Sequence, residues 1–516
     1  MRECGMLLPI ASLPSRYGIG SFSREAYEFI DILKEAGQSY WQILPLGPTG
    51  FGDSPYQSFS AFAGNPYFID LERLTEEGIL TKEECLEVDF GEDQGDIDYK
   101  KIYEGRFPLL KKAYQRWKKK LGTDREVHQL AEQLLREETR EYCFYMAVKD
   151  AFGSGSWDTW DQDIRMRQEK ALKQYRKELS DEIGYYEFQQ IKFEEQWKAL
   201  KEYAHAKGIR IIGDIPIYVA FDSADSWSRP ELFQLDERNL PVAVAGCPPD
   251  AFSATGQLWG NPLYDWEYHK KTGYQWWIRR MEYSLELYDV VRVDHFRGFE
   301  SYYAIPYGDK TAEKGHWEKG PDLELFSQLK KHRRVKKLPI IAEDLGLLTP
   351  PVRKLLRASG FPGMKVLEFA FDSGEDSDYL PHKYGKNCVV YTGTHDNDTV
   401  KGWFSSLNRH DRAFLLEYLD CQHGRRKEIN WSMIRAALSS PADLAVIPVQ
   451  DYLGLGSEAR INEPSTIGKN WKWRMEQEAF TPELIEKCRR MAEIYGRVKR
   501  IGKKQTGQKR NVKHFL

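Results

Sequence analysis

The chain has 516 residues, 41% hydrophobic and 30% charged, the balance of a folded globular protein and not of a disordered or fibrous one. Its 75 Lys and Arg nearly cancel its 78 Asp and Glu, so a formal charge of −3 excludes a general electrostatic pull toward nucleic acid or anionic membrane. Seven scattered cysteines with no CxxC spacing argue against a disulfide framework or a zinc knuckle, and for reduced thiols in a cytoplasmic protein.

No run approaches the roughly 18–20 apolar residues of a membrane span. The opening MRECGMLLPIASLPS is too short and too poorly flanked for a signal peptide. The first predicted strand is YWQILPL at 40–46. Residues 72–185 read as an inserted, mostly helical subdomain. It holds the basic run KKAYQRWKKK, a solvated helix face, and a helix through Leu134, Leu135, Tyr142 and Met146. Next, Phe193, Trp197, Leu200 and Ala204 mark one face of a helix that Gly208 closes, followed by a buried strand over 209–219 (IRIIGDIPIYV). The stretch 221–266, rich in Pro, Gly, Asp and Trp, reads as a functional loop insertion. Trp277, Met281, Leu285 and Tyr288 form a helical face leading into VVRVD at 290–294; LPIIAE at 338–343 repeats the strand pattern. Thr349 caps a helix with Pro350 and Pro351 in its first turn, ending near Gly360. Strands follow at 364–370, 387–392 and 444–449, and the tail 497–516, with eight Lys or Arg and no acid, reads as a frayed, solvated end.

Strands alternating with helices predict parallel β/α units. Seven strands, with an eighth at 67–71, predict an α/β protein with a (β/α)8 TIM barrel built from 1–71 and 186–496 and carrying large helical and loop insertions. A Rossmann sheet is the rival, but no G-x-G-x-x-G opens a helix after a strand. A barrel needs about 250 residues, so roughly half the chain is insertion.

The chemistry lies at the strand ends. Asp214 (IIGDIP), Asp294 (VVRVDHFRGF), Glu343 (IIAEDLG) and Asp396 (VVYTGTHDND) each end an apolar run, and barrel closure gathers such ends around one mouth. Metal binding is one reading of these acids, helped by His295 and His395, but no HxH or HExxH spacing is present. Arg292, two residues before Asp294 and hence on the same strand face, disfavours a divalent ion and favours an ionised Asp294. Glu343, with apolar neighbours and other acids near, is expected to have a raised pKa suited to a general acid. Two acids with separated pKa values are the pattern of glycoside chemistry.

The segments GDSPYQSFSAFAGNPYFIDL (52–71), GDIPIYVAFDSADSW (213–227), PPDAFSATGQLWGNPLY (248–264), VRVDHFRGF (291–299), AEDLG (342–346), GTHDNDT (393–399) and ARINEPST (459–466) resemble, in order, the 4-α-glucanotransferases (amylomaltases) of glycoside hydrolase family 77, relatives of the α-amylases. The resemblance implies that Asp294 is the nucleophile, Glu343 the acid/base and Asp396 the third acid gripping ring hydroxyls. It implies that Arg292 and His395 orient the nucleophile and bind the cleaved sugar, supported by Asp214. Tyr56 and Trp259 match aromatics lining the donor and acceptor side, Asn462 a polar rim residue, and Asp250 and Gln257 join the binding candidates. Tyr56, in a turn-forming segment, is expected at an exposed rim. Asp344, Asp398 and His295 are supporting candidates. Cys247 occupies a loop position where a small aliphatic residue is expected.

The implied activity is transfer of part of an α-1,4-glucan donor to the 4-hydroxyl of glucose or a maltooligosaccharide acceptor, with retention and without cofactor or metal. Three rivals remain: an α-1,4-glucan hydrolase with the same residues, a catalytically silent glucan-binding protein, and a metal-dependent barrel enzyme. Chain lengths used and oligomeric state are open.

Overall fold

The computed structural model describes residues 2–50, 52–91, 93, 95–249, 253–346, 348–371, 377–421 and 428–498. Twelve strands occur among them: β1 (Glu3–Leu7), β2 (Tyr40–Gln42), β3 (Arg210–Ile215), β4 (Ala243–Cys247), β5 (Gln257–Pro262), β6 (Val290–Val293), β7 (Ser301–Pro306), β8 (His316–Lys319), β9 (Ile340–Ala342), β10 (Gly363–Val366), β11 (Cys388–Tyr391) and β12 (Leu444–Pro448). Eight close into a barrel of order β1-β12-β11-β10-β9-β6-β3-β2, every pairing parallel. The expected (β/α)8 barrel is therefore present.

The strand period of two divides each stave between two cores. Ile212, Ile341, Met364, Val389 and Val446 pack with Leu7 and Tyr391 inside the barrel. Their neighbours Ile211, Val291, Ile340, Val390 and Ala445 face outward and join the large core beneath the helices. Arg292 and Asp214 take inward positions and are Cα partners across β3 and β6. Consequently two charged side chains share the barrel interior.

Several elements differ from expectation. The eighth stave is β1, five residues of which four are buried, paired with both β2 and β12. The 67–71 segment is instead a 3-10 turn, Pro66–Phe68, leading into the helix Leu71–Glu76. Asn65 Oδ1 accepts the Tyr67 N–H at 3.0 Å and Asp70 caps the following helix, so local side-chain bonds divert the backbone from a ladder. The helix expected through Leu134 and Met146 is two, Asp124–Leu134 and Glu137–Ala151, broken at extended Leu135 and Arg136. The strand expected over 364–370 stops at Val366 and tightens into a 3-10 turn, Leu367–Ala370.

The 221–266 stretch is partly a sheet: β4 and β5 join β7 and β8 in the antiparallel order β5-β4-β7-β8. Cys247 accordingly ends a strand and is not in a loop. Gly208 (φ 80°) ends the 28-residue helix Ser180–Lys207 in the left-handed conformation that glycine adopts without a Cβ penalty. At the start of the expected frayed tail, Arg497 is buried and donates to the carbonyls of Leu438 (2.7 Å) and Glu3 (2.8 Å). Residues 499–516 lie outside the described residues. None of the seven cysteines is in a disulfide, and no described helix is long and apolar enough to cross a membrane.

Candidate active site

Register brings the two principal acids together. Val293 on β6 is the Cα partner of Ala342 on β9, so Asp294 and Glu343 are the next residues along adjacent staves. The Glu343 N–H donates to Val293 O (3.0 Å), and the Phe296 N–H donates to Glu343 O (3.1 Å), continuing the pairing past the strand ends. Between them His295 adopts φ 49°, a left-handed conformation costing about 1–2 kcal/mol for a residue with a side chain. That turn aims the His295 N–H at Glu343 Oε2 (2.8 Å), while the Leu345 N–H reaches Oε1 (2.7 Å). Two backbone donors thereby fix the carboxyl plane.

Beneath Asp294 sits Arg292, 2% exposed. Its Nη1 donates to the fully buried Asp214 at Oδ2 (2.6 Å), and its Nη2 is ion-paired with Asp294 Oδ1 at 3.1 Å. One guanidinium is shared by two carboxylates. Arg292 is expected to hold Asp294 ionised. Desolvation raises Asp294 to about 6; Arg292 opposes this, and Asp214 and Asp396 add to it. Glu343 goes further, to about 7, through burial first and then the negative charge of Asp294. The acid and the ionised partner keep the expected order, but both lie above the usual carboxylate range.

On the other side of the mouth, Asp396 is 42% exposed at its side chain and lies 3.3 Å from His395 Nε2. Asn462 Nδ2 donates to its Oδ1 (2.6 Å), and Arg460 Nη2 donates to its carbonyl (2.8 Å). Burial alone would raise Asp396, but the His395 charge and hydrogen bond and the Asn462 amide outweigh it and hold the carboxyl well below its usual range. His395, although burial opposes its charge, is shifted upward by Asp396.

Tyr56 joins the two sides. Its hydroxyl donates to Asp214 Oδ2 (2.9 Å) and lies 2.9 Å from His395 Nε2, whose N–H it accepts; the two rings stack at 5.2 Å. Burial and the Asp214 charge push the phenol far above its ordinary pKa, so it stays a neutral donor. Tyr56 therefore reaches the floor of the mouth and not an exposed rim. Its segment is turn-forming, but the ring finds buried acceptors.

Trp259 lies in β5, its ring edge-on to His295 at 4.9 Å and its Nε1 donating to Gln257 Oε1 at 3.0 Å. His295, half-buried beside this ring, is pushed down to about 3 by desolvation and the Arg297 charge and is neutral. Asp344 turns away from the mouth, accepting the Met364 N–H (2.6 Å), and Asp398 accepts the Ser457 hydroxyl (2.6 Å). Asp250 lies outside the described residues. Two contributors carried no signal of their own in the sequence. Arg460 sits two residues before Asn462 in the 459–466 segment, and Trp471 packs 5.9 Å from Tyr56 and 6.1 Å from His395 across 415 residues of chain from the first of them. Among the described residues, no group of three His, Cys, Asp or Glu side chains is arranged to hold a metal ion.

The family model described as 4-alpha-glucanotransferase, glycoside hydrolase family 77, matches residues 8–479. The chain belongs to this family. A 4-alpha-glucanotransferase of Clostridium butyricum is 49% identical over 490 residues, 95% of this chain and 99% of the relative. One from Thermus thermophilus is 47% identical over 503 residues, 96% and 99% of the two chains. Among solved structures, an amylomaltase from Streptococcus agalactiae in complex with acarbose superposes with a TM-score of 0.93 at 42% identity, covering 97% of this chain and all of the other. Family 77 membership thus extends over the barrel, the insertion and the small sheet alike.

Proposed function

We propose that this family 77 protein is a 4-α-glucanotransferase that moves a segment of an α-1,4-glucan to the 4-hydroxyl of glucose or a second glucan. The observation that carries the reading is the registered pair Asp294 and Glu343, one tethered by Arg292 and the other held by two backbone N–H groups. The relatives named as transferases at nearly half identity favour transfer over hydrolysis by the same residues.

Glu343, its pKa raised so that a proton is available near neutrality, donates that proton to the glycosidic oxygen. Asp294 attacks the anomeric carbon through a carboxylate oxygen as the bond to the protonated oxygen breaks, and the released glucan departs as an alcohol. The sugar is then held as an ester on Asp294. An acceptor 4-hydroxyl gives its proton to the Glu343 carboxylate, attacks the same carbon and expels Asp294, restoring both acids and retaining configuration. Ionised Asp396, fixed by His395 and Asn462, stabilises the positive charge that develops on the ring. Arg292, Asp214, Tyr56 and His395 orient that floor, with Trp259 and Gln257 on the β5 side for the second sugar. The chemistry needs neither cofactor nor metal, and cysteines outside any disulfide fit a cytoplasmic setting.

Incubation with maltotriose tests this. Transfer yields glucose and a ladder of longer oligomers at constant reducing-end count; a steady rise in reducing ends would overturn it in favour of hydrolysis. Complete inertness toward maltotriose and longer maltodextrins would leave only a binding role.

A further inference from the structure

Behind the turn that carries His395 and Asp396 lies a carboxyl group with no part in the proposed chemistry. Glu368 follows β10 in the 3-10 turn Leu367–Ala370 and is 3% exposed. Its backbone N–H donates to Thr392 O at 3.2 Å, docking it against the end of β11. Its carboxyl packs behind Gly393, in the turn that runs on to Asn397. Asn397 Oδ1 accepts both the N–H (2.9 Å) and the hydroxyl (2.8 Å) of Thr394, and Thr394 Oγ1 accepts the Asp396 N–H at 3.2 Å. Hydrogen bonds thus tie Asn397 through Thr394 to the backbone of Asp396, and the Glu368 carboxyl lies directly behind this turn. Gly393 completes the fit: a Cβ there would stand 2.9 Å from Glu368 Oε1 and 3.1 Å from Asn397 Cβ, so the carboxyl occupies the space a side chain would need.

The surroundings suit an uncharged group. Glu368 Oε1 is buried with no hydrogen-bond partner among the described residues. An ionised oxygen left so is far costlier than a neutral one. The groups that face it are mostly acids: Asp451, from the helix Val449–Leu453, and Asp398, from the turn itself; Arg460 is the opposing charge. Asp451 is already committed to the Thr392 hydroxyl (2.5 Å) and the Val400 N–H (2.8 Å). Burial and these two acids push Glu368 well above the ordinary carboxyl value.

We infer that Glu368 is a positioning residue: packed as a neutral acid behind Gly393, it fixes the turn that presents His395 and Asp396 to the sugar. The inference rests on the transferase reading for its assay. Wild-type protein, E368Q and E368A are compared on maltotriose for kcat and KM, and by thermal unfolding from pH 5 to 9. Displacing Asp396 slightly is expected to lower kcat of E368A about ten-fold or more while KM changes little. E368Q, which keeps shape and neutrality, is expected to restore kcat to within about two-fold of wild type. Because the folded-state pKa is raised, the stability Glu368 lends is present in acid and lost as pH rises, so E368Q should gain on wild type in Tm toward pH 9.

Wild-type kcat in E368A, or E368Q as impaired as E368A, would overturn the inference, the second by requiring an ionised carboxylate. Should E368A fail to fold, G393A, whose Cβ would stand 2.9 Å from Glu368 Oε1, disturbs the same packing; a comparable fall in kcat supports the inference and an unchanged kcat overturns it. Absence of a product ladder with wild-type protein would instead count against the transferase reading.

Discussion

Two clusters of acids and arginines, one in the barrel mouth and one in the helical insertion, handle buried charge in opposite ways. In the insertion, Glu141 on the helix Glu137–Ala151 has one guanidinium for each oxygen: Arg167 at 2.6 Å and Arg176 at 2.7 Å. The arginines themselves lie over aromatic rings, Arg167 on Trp227 at 4.2 Å and Arg176 on Phe144 at 4.0 Å. Burial would raise Glu141, but the two positive charges win and lower it. In the mouth the ratio is inverted: one guanidinium serves Asp214 and Asp294, and Glu343 receives only backbone donors. There burial wins and both acids rise. A carboxylate built for stability is oversupplied with counter-charge, whereas one built to trade protons or bond to carbon is left short of it.

The most severe way to break this contrast is to remove the proposed nucleophile. D294N is expected to lower kcat on maltotriose by about 10⁴-fold or more, with thermal stability equal to or above wild type because a strained charge is gone. A loss of fold in place of activity, read by circular dichroism, would make Asp294 structural like Glu141. Removing the shared guanidinium comes next. R292M leaves Asp214 buried without its cation, at an expected cost of about 3–5 kcal/mol in chemical denaturation.

E141Q tests the other cluster. It should cost about 1–3 kcal/mol of stability by unpairing two arginines, and leave kcat below the unfolding range unchanged. Smaller again is N462A, which removes one amide from Asp396 and should reduce kcat about ten-fold.

The two clusters should also diverge in pH. Glu141, its pKa lowered in the fold, contributes stability above the usual carboxylate value that is lost as pH falls through the folded one; the deficit of E141Q should shrink in acid. Glu343, raised from 4.5 to about 7, contributes stability in acid that is lost as pH rises through that interval. E343Q should therefore be more stable than wild type above pH 7, by about 1 kcal/mol, and indistinguishable from it near pH 4. Equal effects of the two variants across the range would erase the distinction.

Much of the site was legible because its residues sit in runs with strong local character. Asp294 and Glu343 close apolar stretches, and barrel closure alone then requires their ends to meet. The sharing of a strand face by Arg292 and Asp294 follows from a period of two. Tyr56 was misplaced at a rim because a turn-forming segment says where the backbone goes, not which buried acceptor a long side chain will find. Trp471 and Arg460 join the mouth by long-range packing that leaves no local mark. The 67–71 segment misled for another reason: its apolar residues fit a strand, but Asn65 and Asp70 bind the nearby backbone first.

The sequence by itself determined the alternation of strand and helix, the acids at strand ends and the family, since each rests on short-range pattern or ordered motifs. Only the tertiary structure decided which five residues close the barrel, that Arg292 is divided between Asp214 and Asp294, and that burial outweighs that guanidinium. Charge balance in a buried site depends on how much water each group loses and how many partners reach it, and both quantities exist only once distant segments are packed together.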